Sequence, residues 1–262
     1  MKKRVLAILF ATTIMTTGLH SNFVLAASEE PTEVSTTDSS TTDSLLDAVN
    51  QTDFSFRDIP WWSSKTDAEK LLVGEGAEIQ QAAFQDNILR MSGIDYISTT
   101  GGKDRVDGGG IVARYSGLKV AGYTPSDTQA CYIYTLNSDG SINKDTDSAQ
   151  FYFGWYTFDS YDYADGEGVY NDLAQKLQSL YGDGTSNTDD DYFSTITWVD
   201  DSNNQIRLLL GGKSKDYKYV TLGYMAAGAD EKLDEMQTAV DAENVANEAS
   251  EREKNKEDVS GL

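Results

Sequence analysis

The chain has one cysteine, Cys131, so no disulfide can join two parts of it. Its one histidine, His20, lies near the amino terminus, in a segment that we expect to be removed on export. A mature chain without histidine has no Ser-His-Asp or Cys-His nucleophile and no histidine metal site. Since a secreted chain without disulfides has no covalent cross-link, its stability must come from a hydrophobic core of helices and strands.

The amino-terminal residues have the three parts of a secretory signal. Basic residues at 2–4 precede a mostly apolar run at 5–19, and Ala26 follows at the expected cleavage position. The apolar run is shorter than the roughly 20 residues that a membrane span needs. We therefore expect removal of residues 1–26, a secreted or extracellular protein, and no membrane insertion after the signal is lost.

The charge of the chain limits the partners that it can bind. Acidic residues outnumber basic ones by 43 to 21, and the formal net charge is −22, or −25 without the three basic residues of the signal. Nucleic acid requires a basic surface and is therefore excluded as a partner. We expect an extracellular or cell-envelope protein as the partner, with a glycan as the alternative.

Composition divides the rest of the chain into three parts. Residues 27–51 are rich in Ser, Thr and Asp, which is typical of a disordered linker. Residues 229–262 predict an acidic carboxy-terminal helix that becomes a charged tail. The stretch between them, 52–228, predicts one α+β domain. In this domain we expect helices to pack on one face of an antiparallel sheet. A helix followed by several strands occurs twice along the sequence.

Apolar periodicity predicts the individual elements. The predicted helices within the domain are 64–73, 78–91 and 168–182. The predicted strands are 54–59, 111–116, 118–123, 128–136, 149–159, 194–200, 205–211 and 217–226. The Asp-Gly pair at 139–140 predicts a hairpin turn. Leu233, Met236 and Val240 form one apolar face, which predicts that the first half of the carboxy-terminal helix packs on the domain.

Two adjacent tryptophans stand before the first predicted helix, in the stretch FRDIPWWSS. Ser64 followed by Asp67 predicts the start of that helix, with the serine as its N-cap. We expect Trp61 to lie in the core against the first turn. Neighbouring residues that leave a strand point opposite ways, so we expect Trp62 to be partly exposed and to contact a partner.

Alternation along the predicted strands indicates a sheet face that is rich in tyrosine. The tyrosines expected on this face are Tyr132, Tyr134, Tyr152, Tyr156, Tyr217 and Tyr219. An antiparallel sheet needs only one buried face, so we expect the tyrosines to be exposed opposite the helices. Tyrosine combines contact area with a hydroxyl group, which suits protein recognition. The six tyrosines and Trp62 are therefore the candidate partner-binding residues, unless the rings only pack across strands or beneath the carboxy-terminal helix.

No catalytic motif is present, and we predict no catalytic residue, no metal site and no cofactor. Two alternatives to protein binding remain open. The first is a glycan-binding module that stacks sugar rings on exposed aromatic side chains. The second is a glycoside hydrolase, which needs only two carboxylates. The acidic residues available for it lie in an aromatic stretch and are Asp159, Asp162, Asp165 and Glu167.

The stretch FRDIPWWSS, with VAGY, YIYTLNSDG and LAQKLQSLYG further along, resembles a group of secreted bacterial proteins with an F-R-x-I-P-W-x-S-S opening. Trp62 stands where that group usually has glycine. More loosely, the chain is similar to the helix-plus-antiparallel-sheet modules of beta-lactamase inhibitor proteins and of the outer-membrane assembly lipoprotein BamE. The resemblance implies a binding module and transfers no catalytic residue.

Overall fold

Alternating apolar residues build a large antiparallel sheet, which is the centre of the fold. The computed structural model describes residues 53–80, 85–91, 105–159, 166–189, 193–214 and 217–257. The helices are α1 (Lys65–Gly74), α2 (Gly166–Tyr181) and α3 (Ala229–Glu257). The strands are β1 (Glu78–Ile79), β2 (Gln85–Leu89), β3 (Arg105–Ser116), β4 (Asp127–Ile133), β5 (Thr135–Leu136), β6 (Ile142–Asn143), β7 (Gln150–Asp159), β8 (Thr185–Asp189), β9 (Phe193–Val199), β10 (Gln205–Ser214) and β11 (Tyr217–Met225).

Nine of the strands form one sheet, in which the pairs are antiparallel. The spatial order is β1-β3-β4-β7-β11-β10-β9-β8, and β2 also pairs with β3. The remaining two strands, β5 and β6, form a small hairpin around the predicted turn. The predicted α+β fold is confirmed.

The segment before α1, residues 54–62, forms turns, so the strand predicted at 54–59 is not present. Arg57 and Asp58 both have φ of 54° and Trp62 has φ of 64°, in the left-handed region that strands do not use. After this turn the chain runs beside β7, where the Trp62 amide donates to the Phe151 carbonyl over 2.8 Å. Ser64 then caps α1 by accepting from the Asp67 amide at 3.1 Å, as predicted.

Strand register assigns side chains to the two faces of the sheet. Tyr115, Tyr156 and Leu222 lie on one face, because each is linked to the next through paired positions. α1 reaches this face where the Tyr115 hydroxyl donates to Glu69 over 3.1 Å. α2 reaches it where the Trp198 indole donates to the Gly182 carbonyl over 2.9 Å. We call this side of the sheet the covered face and the opposite side the second face.

Two further local predictions are wrong, and one strand was not predicted. The predicted helix 78–91 contains β1 and β2, the predicted strand 118–123 is a turn with one bridge between Val120 and Tyr123, and β8 was not predicted. Short apolar runs fit a helix or a strand equally well, and the polar sequence of β8 has no apolar alternation. The secondary structure of these segments is therefore determined by their pairing with neighbouring strands.

The carboxy-terminal helix α3 packs against the sheet through its first half. Leu233, Met236 and Val240 are buried as predicted, whereas Val245 is 68% exposed. Met236 lies over Gly109 of β3, where an added Cβ would come within 2.7 Å of the Met236 Cγ. Glycine therefore permits the close approach of helix and strand. Among the described helices, none is long and apolar enough to cross a membrane.

Candidate functional site

The tyrosines expected to bind a partner are mostly buried. Tyr132 and Tyr152 have no exposed surface, and Tyr134 and Tyr156 are buried as well. The expectation that their face is exposed is wrong, because alternation along a strand separates two faces without indicating which one the helices cover. In this fold α1, α2 and the segment before α1 cover the face that carries Tyr132 and Tyr156.

The six tyrosines also do not share one face. Tyr156 pairs with Leu222 on the covered face, whereas Tyr219 pairs with Asp159 on the second face. The pairing of β4 with β7 shifts between Cys131 and Tyr132, which leaves Tyr152 as an extra residue in β7. Such a bulge interrupts the alternation of side chains. The side chain of Tyr217 lies outside the described residues.

The buried hydroxyl groups are used inside the protein. The hydroxyls of Tyr115 and Tyr132 share a hydrogen bond of 2.8 Å. The Tyr152 hydroxyl donates to the Leu89 carbonyl over 2.6 Å. Burial is the largest cause that raises the pKa of Tyr132, so its hydroxyl stays protonated at neutral pH. These groups therefore stabilise the fold and are not available to a partner.

Trp62 is partly buried and is held between β7 and α3. Its ring stacks on Tyr152 at a centroid distance of 6.4 Å and an interplanar angle of 15°. Lys232 of α3 also contacts the Trp62 ring, and its Nζ lies 4.1 Å from the ring centroid. The same Nζ donates to Gln150 over 3.0 Å. A cation over an indole ring is attractive, so Trp62 fastens α3 to the sheet.

The second face carries two rows of side chains in register across the sheet. The first row, which we call the tryptophan row, runs from β3 to β9 through Arg114, Gln129, Trp155, Gly223, Arg207 and Thr197. The second, which we call the threonine row, runs from β4 to β9 through Asp127, Thr157, Thr221, Leu209 and Thr195. Together the rows combine an indole, two guanidinium groups and several hydroxyls on one surface.

The middle of these rows is buried and one end is exposed. Trp155 is 2% exposed and Thr221 is 0% exposed, whereas the Arg114 side chain at the edge is 45% exposed. Asp127 and Thr157 are intermediate. The surface therefore has a buried floor that continues into an accessible rim.

Two polar atoms on this floor have no hydrogen-bond partner. They are the Nε1 of Trp155 and the Oγ1 of Thr221, and both are buried. By contrast, the Trp61 indole donates to the Phe54 carbonyl over 2.7 Å, and the Trp198 indole is satisfied by Gly182. Most buried polar groups in proteins are hydrogen-bonded, and each orphan costs about 1–3 kcal/mol. The second face therefore holds an unused donor in its centre.

A carboxylate already lies at the exposed end of the rows. The Arg114 Nε is 3.8 Å from Asp127 Oδ2, and the Gln129 amide donates to the same oxygen. Burial raises the pKa of Asp127 above its ordinary value, and Arg114 and Gln129 oppose this effect. This end of the face therefore holds an internal ion pair between the two rows.

Of the acidic residues considered for glycoside hydrolysis, the structure describes Asp159 and Glu167, which belong to different sides of the sheet. Asp159 lies at the end of β7 on the second face. Glu167 lies in α2 and forms an ion pair with Lys218, which extends from the covered face. Asp162 and Asp165 lie outside the described residues. Among the residues that the structure describes, no group of three His, Cys, Asp or Glu side chains is placed to hold a metal ion.

Alternation along the predicted strand 149–159 places Phe151, Phe153 and Trp155 on one face, and this reading did not reveal the rows. Phe151 instead pairs with Tyr132, so the bulge moves it to the covered face. A partial signal was present in the sequence, because polar residues alternate with apolar ones at 205–208 in β10 and at 219–222 in β11. Their alignment across strands depends on register, which the sequence pattern alone does not provide.

Comparison with known protein families, with curated proteins and with solved structures gives no match for this chain. The fold and the side-chain geometry therefore carry the functional argument. They define an α+β protein with a nine-stranded antiparallel sheet and a polar, partly accessible second face.

Proposed function

We propose that the chain is a secreted, non-catalytic module that binds another protein through the second face of its sheet. The observation that carries this proposal is the accessible end of the second face, where the Arg114 side chain is 45% exposed beside the partly exposed Asp127 and Thr157. The binding surface in this proposal is the second face and not the tyrosine-rich face, which is packed beneath helices.

The composition of the second face supports recognition of a protein. Protein interfaces have a buried centre and a polar rim, and tryptophan and arginine are enriched among the residues that contribute most to affinity. Arg114 lies on the accessible part of this face, where its side chain is 45% exposed. The same face is less suited to stacking a sugar ring, because Trp155 already stacks on Phe153 at 5.0 Å.

The proposal is tested by capture on the mature chain, residues 27–262, with cell-envelope proteins and polysaccharides offered as separate fractions. Arg114→Glu reverses a charge on the rim without touching the core. The matched control is Arg252→Glu, in the exposed half of α3, where the Arg252 side chain is 77% exposed. We expect a protein that the unmodified chain and the Arg252 variant retain and that the Arg114 variant loses.

Two results would contradict the proposal. Equal retention of the same proteins by both variants would exclude the second face. Retention of polysaccharide instead of protein, with loss in the Arg114 variant, would favour the glycan-binding alternative at the same surface.

A further inference from the structure

We infer that the outer edge of β8 binds an extended segment of a partner protein with basic residues at both ends, which joins the sheet as a further strand. This surface is an edge of the sheet and not its second face. The inference therefore goes beyond the proposed function and can fail independently of it. β8 is the last strand in the sheet order, and among the described strands only β9 pairs with it.

Hydrogen bonding in the neighbouring strands shows which backbone groups of β8 face outward. Just past the end of β9, the Asp200 amide donates to the Asn204 carbonyl over 3.1 Å, so these opposed residues form a hydrogen-bonded pair. Such pairs alternate with non-hydrogen-bonded pairs along antiparallel strands. The even-numbered residues of β9 therefore bond to β10, and its odd-numbered residues bond to the odd-numbered residues of β8. The backbone groups of Ser186 and Thr188 then point away from β9, to the open edge.

The residues along β8 are small, polar and accessible. Thr185, Ser186 and Asn187 are all exposed. Sheets usually protect their edges with short strands, bulges, prolines or charges. At the opposite edge β1 has only two residues, and the pairing of β2 with β3 is irregular. β8 has five residues that pair with β9 in regular register, so another strand can pair with its outer side.

Charges at the two ends of β8 favour a basic partner. Asp183 lies just before the strand and is exposed, and Asp189 is its last residue. A second copy of this chain would bring the same two acidic residues to the contact, on a protein of formal net charge −22, so like charges oppose self-pairing. A segment with lysine or arginine at both ends is attracted at each end. Backbone hydrogen bonds then supply affinity, and the charges determine partner and register.

The probe is the peptide acetyl-Lys-Thr-Val-Thr-Val-Thr-Lys-amide, whose lysines have the same spacing as Asp183 and Asp189. One control peptide has glutamate in place of both lysines. In the other, proline replaces the central threonine, which keeps the charge and removes the amide that would donate to the Ser186 carbonyl in antiparallel pairing. The mature chain, residues 27–262, is labelled with nitrogen-15, and exchange of its amide hydrogens is measured by NMR.

We expect the lysine peptide to slow exchange of the Ser186 amide by about tenfold or more and the two control peptides to leave it unchanged. The Asn187 amide, which bonds to β9, should be protected with or without peptide. Asp183→Lys should weaken binding of the lysine peptide by about fivefold or more. The matched control, Glu251→Lys, makes the same change of charge in the exposed half of α3 and should leave binding unchanged.

Any of four results would overturn the inference. Protection of the Ser186 amide that rises with protein concentration in the absence of peptide would indicate a second copy as the occupant. Equal binding of the lysine and proline peptides would indicate charge attraction without strand addition. Equal binding of the lysine and glutamate peptides would exclude selection of a basic partner. No change at Ser186 with the lysine peptide would exclude the edge as a binding surface. In each case the capture experiment with Arg114→Glu decides the proposed function separately.

Discussion

Arg57 donates from Nη1 to the hydroxyl of Tyr156 over 3.2 Å, although Tyr156 is almost completely buried. The same guanidinium donates to the Lys119 carbonyl over 3.1 Å and pairs with Glu75 at the end of α1. One side chain thus joins the segment before α1, the sheet and the following turn. Arg57 also has a left-handed backbone, an uncommon state for a residue with a side chain, and these contacts hold it there.

Replacing Arg57 should destabilise the protein. Arg57→Met keeps most of the side-chain length but leaves the buried Tyr156 hydroxyl without its donor. We expect the free energy of unfolding to fall by about 1.5–3 kcal/mol, measured by urea denaturation. The matched control, Arg252→Met, should change it by less than about 0.5 kcal/mol. Equal stability of the two variants would show that the Arg57 contacts do not stabilise the fold.

Stability should decline at alkaline pH because several buried groups are held neutral. Burial raises the pKa of Tyr156 from 10.0 to about 12, and it raises the pKa of Cys131 from 9.0 to about 12. Since the folded pKa of each group lies above the unfolded value, the unfolded chain loses its protons first. The contribution is therefore complete below about pH 9 and is lost as the pH rises to about 12.

Urea denaturation at a series of pH values measures this decline, and tyrosinate absorbance reports ionisation. Tyr156→Phe should make the decline shallower, because it removes one of the titrating groups. A free energy of unfolding that is constant from about pH 9 to about pH 11 would contradict the burial of these groups.

Trp61 should contribute to stability through its ring more than through its indole N–H. The ring stacks on Phe151 at 5.2 Å with an interplanar angle of 7°, and it is partly buried. Trp61→Ala should lower the free energy of unfolding by about 2–4 kcal/mol, slightly less than for a fully buried tryptophan. Trp61→Phe keeps a ring there and should cost about 1 kcal/mol, near the value of one hydrogen bond. If the alanine and phenylalanine variants were equally stable, the stacking would not contribute.

The two halves of α3 should differ in their effect on stability. Leu233 is fully buried in the first half, so Leu233→Ala should cost about 2–5 kcal/mol. Val245→Ala, in the exposed second half, should change the free energy of unfolding by less than about 0.5 kcal/mol. Chemical denaturation of both variants makes the comparison. A large loss for Val245→Ala would indicate that the second half of α3 also packs on a surface.

Export should remove the predicted signal, so the mature chain should begin at Ala27 or Ser28. The intact mass of the protein recovered from the culture medium measures this directly. A recovered chain that still carries residues 1–26 would contradict the signal prediction.

Much of the local structure followed from short-range patterns. The periodic leucines of α2 and the serine before α1 predicted both helices within one or two residues, because they act within one or two helical turns. The strands β7, β9 and β11 were predicted because each is rich in aromatic and β-branched residues, and β10 was predicted from its apolar residues at 206–210. The candidate site was not predicted, because it consists of residues from β3, β4, β7, β10 and β11 that only pairing aligns.

The sequence by itself determined that the chain forms a cysteine-poor α+β fold with a capped first helix and a docked carboxy-terminal helix. It also determined that tyrosines and hydroxyl-bearing residues alternate with apolar side chains along the strands. Only the tertiary structure decided that Tyr132 and Tyr156 are buried and that Trp155 lies among polar side chains on the other face. The physical reason is that alternation produces two faces, whereas the helices, the bulge opposite Cys131 and the register of distant strands decide which face is packed.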